Sequence, residues 1–580
     1  MEKASQKLGK ECTLGIMVNW LGDPYVVGIL TGAMDVAANA GASLLCFVGG
    51  HLPLDPSTNA RHRIFDLVGT NNVGGVVMIT STLMNQVGRA GVESFCKKHC
   101  PELPKYSVGV ELSGIPSLVL QNEKGIKKVM QHLVTEHHFR RIAFVRGPLV
   151  NDEAEARYQA YVNSLRDLEI PFDQRLVSTG DFLEASGHAA VNTFSRCSGM
   201  KLEDLDAIVS SNDIMAIGVL SALEERRISV PATIAITGFD DIEEARLTSS
   251  PLTTVKQPLE KLGQQAIRNL LQWRALGKPP ENTALETELI VRSSCNCSKN
   301  QSKFKPSVVP ELNQSFDAAL ICKRQQILDR LTRTARGELG GLGADWQNRL
   351  LTALVAESRG DEPGAFSNLI EEFAQKLMAR GTDLQVCHDL VDVLRKQLAV
   401  AMRSDPIRRD RTEDAFHQSH LVLSSGLQRN LMRDRLRLGR WVREISSACT
   451  TLSSTFEKSE LRTLIRELLP RVGLRNYFVV TYSEAPEAHR ACLFVGSDQG
   501  RDVGDALDQT FDAAQLLPRH LLSVLSSGRA FSVLPLTCSN ANLGHIILEL
   551  NLEHSFSYGA IAEAIGVGLY GVRFASKTSL

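Results

Sequence analysis

Short apolar runs, each stopped by polar residues, recur through the first half of the chain. Thr13–Val18 (TLGIMV) ends at Asn19, and Ala42–Val48 (ASLLCFV) follows a helical stretch over Thr31–Ala40. Val73–Thr80, Lys105–Val110 and Pro116–Leu120 continue the series. A second set begins at Arg141–Val145 (RIAFV) and runs through Arg175–Ser178, Ala207–Ser210 (AIVS) and Thr233–Thr237. Short buried strands alternating with helices predict a parallel sheet covered on both faces. Two sets predict two lobes with a cleft between them. In such open α/β sheets a ligand lies beyond the carboxyl ends of the strands.

Past Pro310 the period lengthens. Phe316–Thr334, Trp346–Glu357, Ala365–Ala379 and Leu384–Met402 carry apolar residues three or four apart, which predicts helices. Breaks at Gly337–Gly343, Gly360–Gly364 and Ser404–Pro406 separate them. Next, Leu431, Leu438, Ile445 and Leu452 recur every seventh residue, with Leu427, Trp441 and Ala448 interleaved and Asp434 the polar exception. That spacing reads as a coiled-coil seam, or as one helix packed on its own bundle. The last segment alternates differently. A helix over Leu461–Leu469 precedes strands at Asn476–Tyr482 and Arg490–Val495, a helix over Ala514–Leu525, strands at Ala530–Leu536 and Leu543–Asn551, and a final helix over Ser557–Phe574. The expected architecture is a two-lobed α/β domain over residues 12–297, a linker over 298–310 and a helical bundle over 311–425. A coiled-coil signalling helix over 426–455 and an α+β domain over 456–580 complete it.

Polar side chains gather at the predicted strand ends. Asn19, Trp20 and Asp23 follow the first strand, Asn212 follows AIVS, Asp240 follows the strand ending at Gly238, and Arg157 follows Gly147-Pro148. Converging carboxylate, amide and guanidinium groups suit a polyol, because each makes paired hydrogen bonds to neighbouring hydroxyls. Trp20 and Phe182 supply flat apolar surface for a sugar ring. Taken singly, each has a plainer reading: Asp240-Asp241 as a cap or turn, Arg157 as a surface cation, Trp20 as packing.

Five ordered motifs tie the first half to a known family. They are Gly147-Pro148 with Arg157-Tyr158-Gln159-Ala160-Tyr161; Gly180-Asp181-Phe182 with Ser186-Gly187; Ser211-Asn212-Asp213 with Met215-Ala216 and Gly218; Val230-Pro231 with Gly238-Phe239-Asp240-Asp241; and the run Pro251–Pro258. Residues 12–297 resemble the effector-sensing half of the LacI/GalR repressors, a periplasmic-binding-protein-like fold. The resemblance implies that Arg157, Asn212, Asp240 and Gln257 contact effector and that Phe182 stacks on it. Gln121-Asn122 stands where many relatives carry Asp-Asn, and Ala160 where they carry Gly. The resemblance also implies a small-molecule effector, a sugar or related metabolite, a homodimer, and a role in transcription regulation. Only about a dozen residues precede the first strand, so the family's helix-turn-helix headpiece is not expected, nor is direct DNA contact; a downstream regulatory partner is. The element order of 456–580 resembles a GAF-like module. A different outcome of the same layout is the sensory portion of a diguanylate cyclase or histidine kinase lacking its output domain.

Bulk properties narrow the classes further. The 580 residues are 43% hydrophobic and 22% charged with a net charge of −1, which leaves no electrostatic footprint for nucleic acid or acidic membranes. The N-terminus has no apolar signal core, and no run of 18 apolar residues occurs. Its 12 cysteines show no framework spacing, so a cytoplasmic protein with reduced thiols and no membrane partner is expected. Cys295-x-Cys297 lacks a second pair nearby, and Cys96, His99 and Cys100 lack a fourth ligand, so no metal is expected. Gly337–Gly341 lacks the Lys-Ser/Thr of a phosphate loop. His417 and His420 have no kinase domain to serve. Asp240 and Asp241 are adjacent, a poor placement for flanking a glycosidic bond. No catalytic residue, no cofactor and no enzymatic activity are expected.

Overall fold

The computed structural model describes residues 13–578 apart from 56–58, 100, 197–199, 298–315, 336–341, 344, 379–383, 399–404, 484–488 and 505–506. The polar N-terminus, the linker over 298–310, the Gly337–Gly341 loop and Cys100 therefore lie outside the described residues. Of the described residues, those from 13 to 297 pack with those from 445 to 578 as one compact unit, and those from 316 to 444 form a second.

The first lobe is built on parallel strands β1 (Thr13–Val18), β2 (Ser43–Val48), β3 (Val76–Ile79), β4 (Lys105–Val108) and β5 (Ser117–Leu120), joined at one edge by β11 (Thr283–Leu285). β2 and β3 are buried throughout, as strands covered on both faces must be. Helix α1 (Pro24–Ala40) starts where Asp23 caps it by accepting from the Tyr25 amide at 3.0 Å, with Pro24 at the first turn. It packs on α9 (Leu259–Leu276) at backbone contact. A Cβ on Gly32 would sit 1.9 Å from the Glu260 carbonyl oxygen, and one on Gly263 1.9 Å from that of Ile29. Only glycine permits that approach.

The second lobe has the parallel order β7 (Val177–Thr179), β6 (Ile142–Arg146), β8 (Ala207–Ser210), β9 (Ala235–Thr237). It is covered by α4 (Asn122–Thr135), α5 (Asp152–Asp167), α6 (Glu184–Ser195) and α7 (Asp213–Glu225). The chain passes between lobes after β5, through β10 (Thr254–Lys256) and into β12 (Glu288–Ile290); β10 and β12 pair antiparallel. The two-lobed expectation over the first half is met.

The C-terminal segment departs from the expected string of separate modules. Strands β13 (Tyr477–Tyr482), β14 (Arg490–Asp498), β17 (Ala530–Cys538) and β18 (Ala541–Glu549) form an antiparallel array in the order β17-β18-β13-β14. Helices α15 (Lys458–Arg471) and α17 (Tyr558–Thr578) enter and leave it. β17 then pairs parallel with β2, with Phe531 opposite Leu45 and Val533 opposite Phe47, so one sheet runs from the first lobe into this segment. Their cores merge: Phe47, Ile64 and Phe65 share a cluster with Phe478, Leu493, Phe531 and Ile547. Pairing covers an edge strand whose free amides and carbonyls would otherwise be exposed. The expected helix over Ala514–Leu525 shrinks to a 3-10 turn at Arg519–Leu521 and α16 (Leu522–Leu525). Pro518 accounts for this, since it has no amide to donate and disfavours helical backbone in the residue before it.

In the second unit, α10 (Phe316–Ala335), α11 (Trp346–Arg359), α12 (Ala365–Met378) and α13 (Gln385–Leu398) enclose Ile327, Leu350, Phe366, Phe373 and Leu390 with Phe416. Phe416 belongs to α14, which runs unbroken from Pro406 to Ser453 through the expected boundary at 425/426. The heptad residues on α14 divide. Leu427, Leu431 and Leu438 are exposed, whereas Ile445, Ala448 and Leu452 are buried within the chain.

Candidate functional site: the interlobe cavity

Three helices begin at the cleft, each with a polar cap at its N-terminus. Asp23 caps α1, Asn151 caps α5 by accepting from the Ala154 amide at 3.0 Å, and Asn212 caps α7 by accepting from Met215 at 3.0 Å. The local rule is simple: a strand ends, a short polar side chain satisfies the first free amides, and a helix follows. Here that rule turns Asp23 and Asn212 toward one space, while Asn151 bridges the lobes beside it. The cavity holds about 550 Å³ and is lined by Asn19, Trp20, Asp23, Arg157, Phe182, Asn212 and Asp240 together. Of the residues expected from sequence, Gln257 alone is not on its wall. It is buried behind Asp240, with its side-chain amide donating to the Asp240 carboxylate.

Arg157 is the organising cation, only 3% exposed. Its Nε donates to Asn122 Oδ1 at 2.8 Å and its Nη1 to the Ser211 carbonyl at 2.8 Å, and the guanidinium lies 4.0 Å from the Phe239 ring centre. Asp240 approaches to 3.8 Å and Glu153 to 3.9 Å. Thus the plain reading of Arg157 as a surface cation is wrong. Asn122 uses its oxygen on Arg157 and its amide on Glu153 at 3.2 Å. Asp241 does not face the cavity. Arg292 and Arg246 hold its carboxylate, so it is a structural anchor.

One guanidinium faces two buried carboxyl groups, Glu153 and Asp240, and a third, the half-buried Asp23, stands on the same cavity wall. Burial raises the pKa of each above the ordinary carboxylate value, most strongly at Asp240, where Arg157 opposes the shift and Asp213 adds to it. Carboxyls of this kind can accept from and donate to a hydroxylated ligand. Asn19 Oδ1 is buried without a protein partner, an acceptor whose desolvation a ligand donor would offset. Phe182 and Asp240 have positive φ, 71° and 126°, a region that residues bearing a Cβ enter only at a cost in steric strain. Trp20 is 43% exposed at the rim.

Several wall residues escaped the sequence reading. Tyr25 hydrogen-bonds Ser81 at 3.0 Å, and His51 donates to the Thr82 carbonyl at 2.7 Å; behind the wall, Asn151 ties the lobes together by donating to the Ser81 carbonyl and to Asn85 Oδ1, both at 2.7 Å. Ser81 and Thr82 were findable, since they follow β3 as Asn19 follows β1. Glu153 sits one helical turn before Arg157, the spacing of paired side chains on one face. Elsewhere, Cys96 is buried beside Met78 and His99 stacks on Phe95 at 4.2 Å while facing Asp66, so these serve packing.

With two lobes and a polar cleft in place, known proteins can be compared. Residues 130–295 match the periplasmic binding protein-like domain. Similar sequences extend over the whole first half. The HTH-type transcriptional repressor PurR of Actinobacillus pleuropneumoniae serotype 3 is 26% identical over 295 residues, covering 50% of this chain and 83% of its own. The repressor CytR of Escherichia coli K12 is 26% identical over 294 residues, 50% of this chain and 80% of that one. The regulator CelR of Thermobifida fusca is 28% identical over 283 residues, 47% and 76%. Among solved structures, a CelR–cellobiose complex superimposes with a TM-score of 0.42 at 26% identity over 49% of this chain and 84% of that one. A LacI-family regulator from Mycobacterium smegmatis gives 0.43 at 23% over 48% and 98%. The two-lobed α/β first half thus contains a periplasmic binding protein-like domain, and its sequence relatives are transcriptional regulators. No described helix is long and apolar enough to cross a membrane.

Proposed function

We propose that the interlobe cavity binds a small hydroxylated metabolite, a sugar or a close relative, and that binding is read out in the control of transcription. The observation that carries this is the convergence of Asn19, Asp23, Glu153, Arg157, Asn212 and Asp240 on one half-open cavity between two lobes. Amide, carboxyl and guanidinium groups around a central void match the alternating donors and acceptors of a polyol, and Trp20 with Phe182 adds flat apolar surface. The volume is that of a small-molecule site. The regulatory half of the reading rests on the sequence relatives, which are transcriptional regulators.

A ligand shifts a two-state clamp only by its differential affinity for the two states. Contacts from both lobes supply that difference here, because Asn19 and Asp23 belong to the first lobe and Arg157, Asn212 and Asp240 to the second. A route to the rest of the protein starts in the loop after β1. Trp20 and Gly22 line the ligand cavity and also a smaller one of about 180 Å³ walled by Phe556 and Glu563. Ser555 donates to the Leu21 carbonyl at 3.2 Å, and Arg61 pairs with Glu563 at 3.1 Å. In this reading the C-terminal GAF-like segment senses cleft closure through that loop, and a homodimer formed along α14 transmits it.

Screening sugars, polyols and nucleosides by thermal shift, followed by calorimetry on the best binder, tests the site. Asp240→Asn is expected to weaken that binder at least tenfold, about 1.4 kcal/mol or more. An Asp240→Asn protein with undiminished affinity would mean the ligand sits elsewhere.

A further inference from the structure

Four ligand-type side chains outside the cleft meet at the far end of the second lobe. His132 lies in the last turn of α4, and His137 follows just beyond the helix end. The chain reverses there, with His138 at a φ of 60° and its amide bonded to the Val134 carbonyl. Cys295 and Cys297 arrive from 160 residues away. Between them Asn296 takes a φ of 70°, a left-handed turn that asparagine tolerates and that sets both thiols on one side. His132 Nε2 is 3.4 Å from Cys295 Sγ and 3.5 Å from Cys297 Sγ, and His137 Nε2 is 3.2 Å from Cys297 Sγ. All four ligand atoms lie within 4.8 Å of one another.

We infer that His132, His137, Cys295 and Cys297 form a structural zinc site. The edge lengths are compatible with a metal at the centre. With Zn–S near 2.3 Å and Zn–N near 2.0 Å, a tetrahedron has S···N edges of about 3.5 Å, which the three observed separations approach. The imidazole rings are 5.0 Å apart and inclined at 80°, so they converge without stacking, and His137 is held in place by Phe139, stacked at 5.1 Å. Thr253 Oγ1 lies 3.1 Å from Cys295 Sγ, placed to support a thiolate from outside the ligand set. Two thiolates and two neutral imidazoles balance a divalent cation, so this partly buried site needs no counter-ion. Four protein ligands close the coordination sphere and leave no position for a substrate. The Cys-x-Cys pair was set aside in sequence because its partners are distant there. Bound zinc would fasten the end of α4 to the strap after β12, just before the chain leaves this lobe.

The test uses the full chain, expressed in zinc-supplemented medium and purified under reducing, chelator-free conditions without a metal-affinity step. Mass-spectrometric metal analysis is expected to find about one zinc per chain. Cobalt exchange is expected to produce the visible ligand-field bands and thiolate charge transfer of a four-coordinate Cys/His site. Cys297→Ser and His137→Gln should each cut bound zinc at least tenfold; His137 is partly exposed, so its variant stays informative if the cysteine variant folds poorly. The inference is overturned by a metal-free protein with no cobalt spectrum, by zinc retained in both variants, or by a Cys295–Cys297 disulfide in peptide mapping.

Discussion

At the residue scale, burial decides which polar groups can still change charge. His545, in the middle of β18, is fully enclosed. Its Nε2 donates to the Leu516 carbonyl at 3.0 Å, and the Tyr482 hydroxyl lies 3.0 Å from its Nδ1. Burial lowers its pKa from 6.5 to about 4, so the folded protein keeps the ring neutral. The unfolded chain binds that proton more readily between those values. The stabilising contribution is therefore complete above pH 6.5 and is lost as pH falls toward 4, by up to roughly 3 kcal/mol. Urea unfolding across this window is expected to show a steeper acid loss in the native protein than in His545→Gln; equal slopes would refute the assignment. Residue chemistry at the cleft was largely legible in the chain, because Asn19, Asn212 and Asp240 follow apolar runs that end in strands. Gln257 was misplaced because its motif marks a crossover segment, and only packing shows that it stands behind Asp240.

At the element scale, pairing between distant strands matters more than any one helix. β17 joins β2 in a parallel ladder, and Phe531 is fully buried in the core common to both. Phe531→Ala is expected to cost about 3–5 kcal/mol. Hydrogen exchange should then quicken in β2 as well as in β17 and β18. Faster exchange confined to the C-terminal strands would show that the two sheets are energetically separate. The strands themselves were readable from their alternation and apolar runs, usually to within two residues. Their partners were not, since the edge residues of β2 carry the same apolar pattern whether they meet solvent-covering loops or another strand.

At the scale of the whole molecule, the long helix α14 sets what a second copy can add. Leu431 and Leu438 are 60% and 51% exposed on the same heptad row, whereas Ile445 is 7% exposed. The proposed dimer seam is thus confined to the exposed part. Leu431→Asp with Leu438→Asp is expected to convert dimer to monomer in light scattering while leaving ligand affinity in the cleft unchanged. A double variant with the native mass would exclude this seam. Ile445 is a different case, because its substitution would disturb the chain's own packing. The amino-acid sequence alone determined the two lobes, the helical middle and most of the cleft chemistry, for these follow from periodicity and from capping at strand ends, both local properties. Tertiary structure alone decided the fused sheet, the burial of the lower heptads and the meeting of His132 and His137 with Cys295 and Cys297. Each of those depends on segments far apart in the chain arriving side by side, and no local pattern encodes which distant surface will cover another.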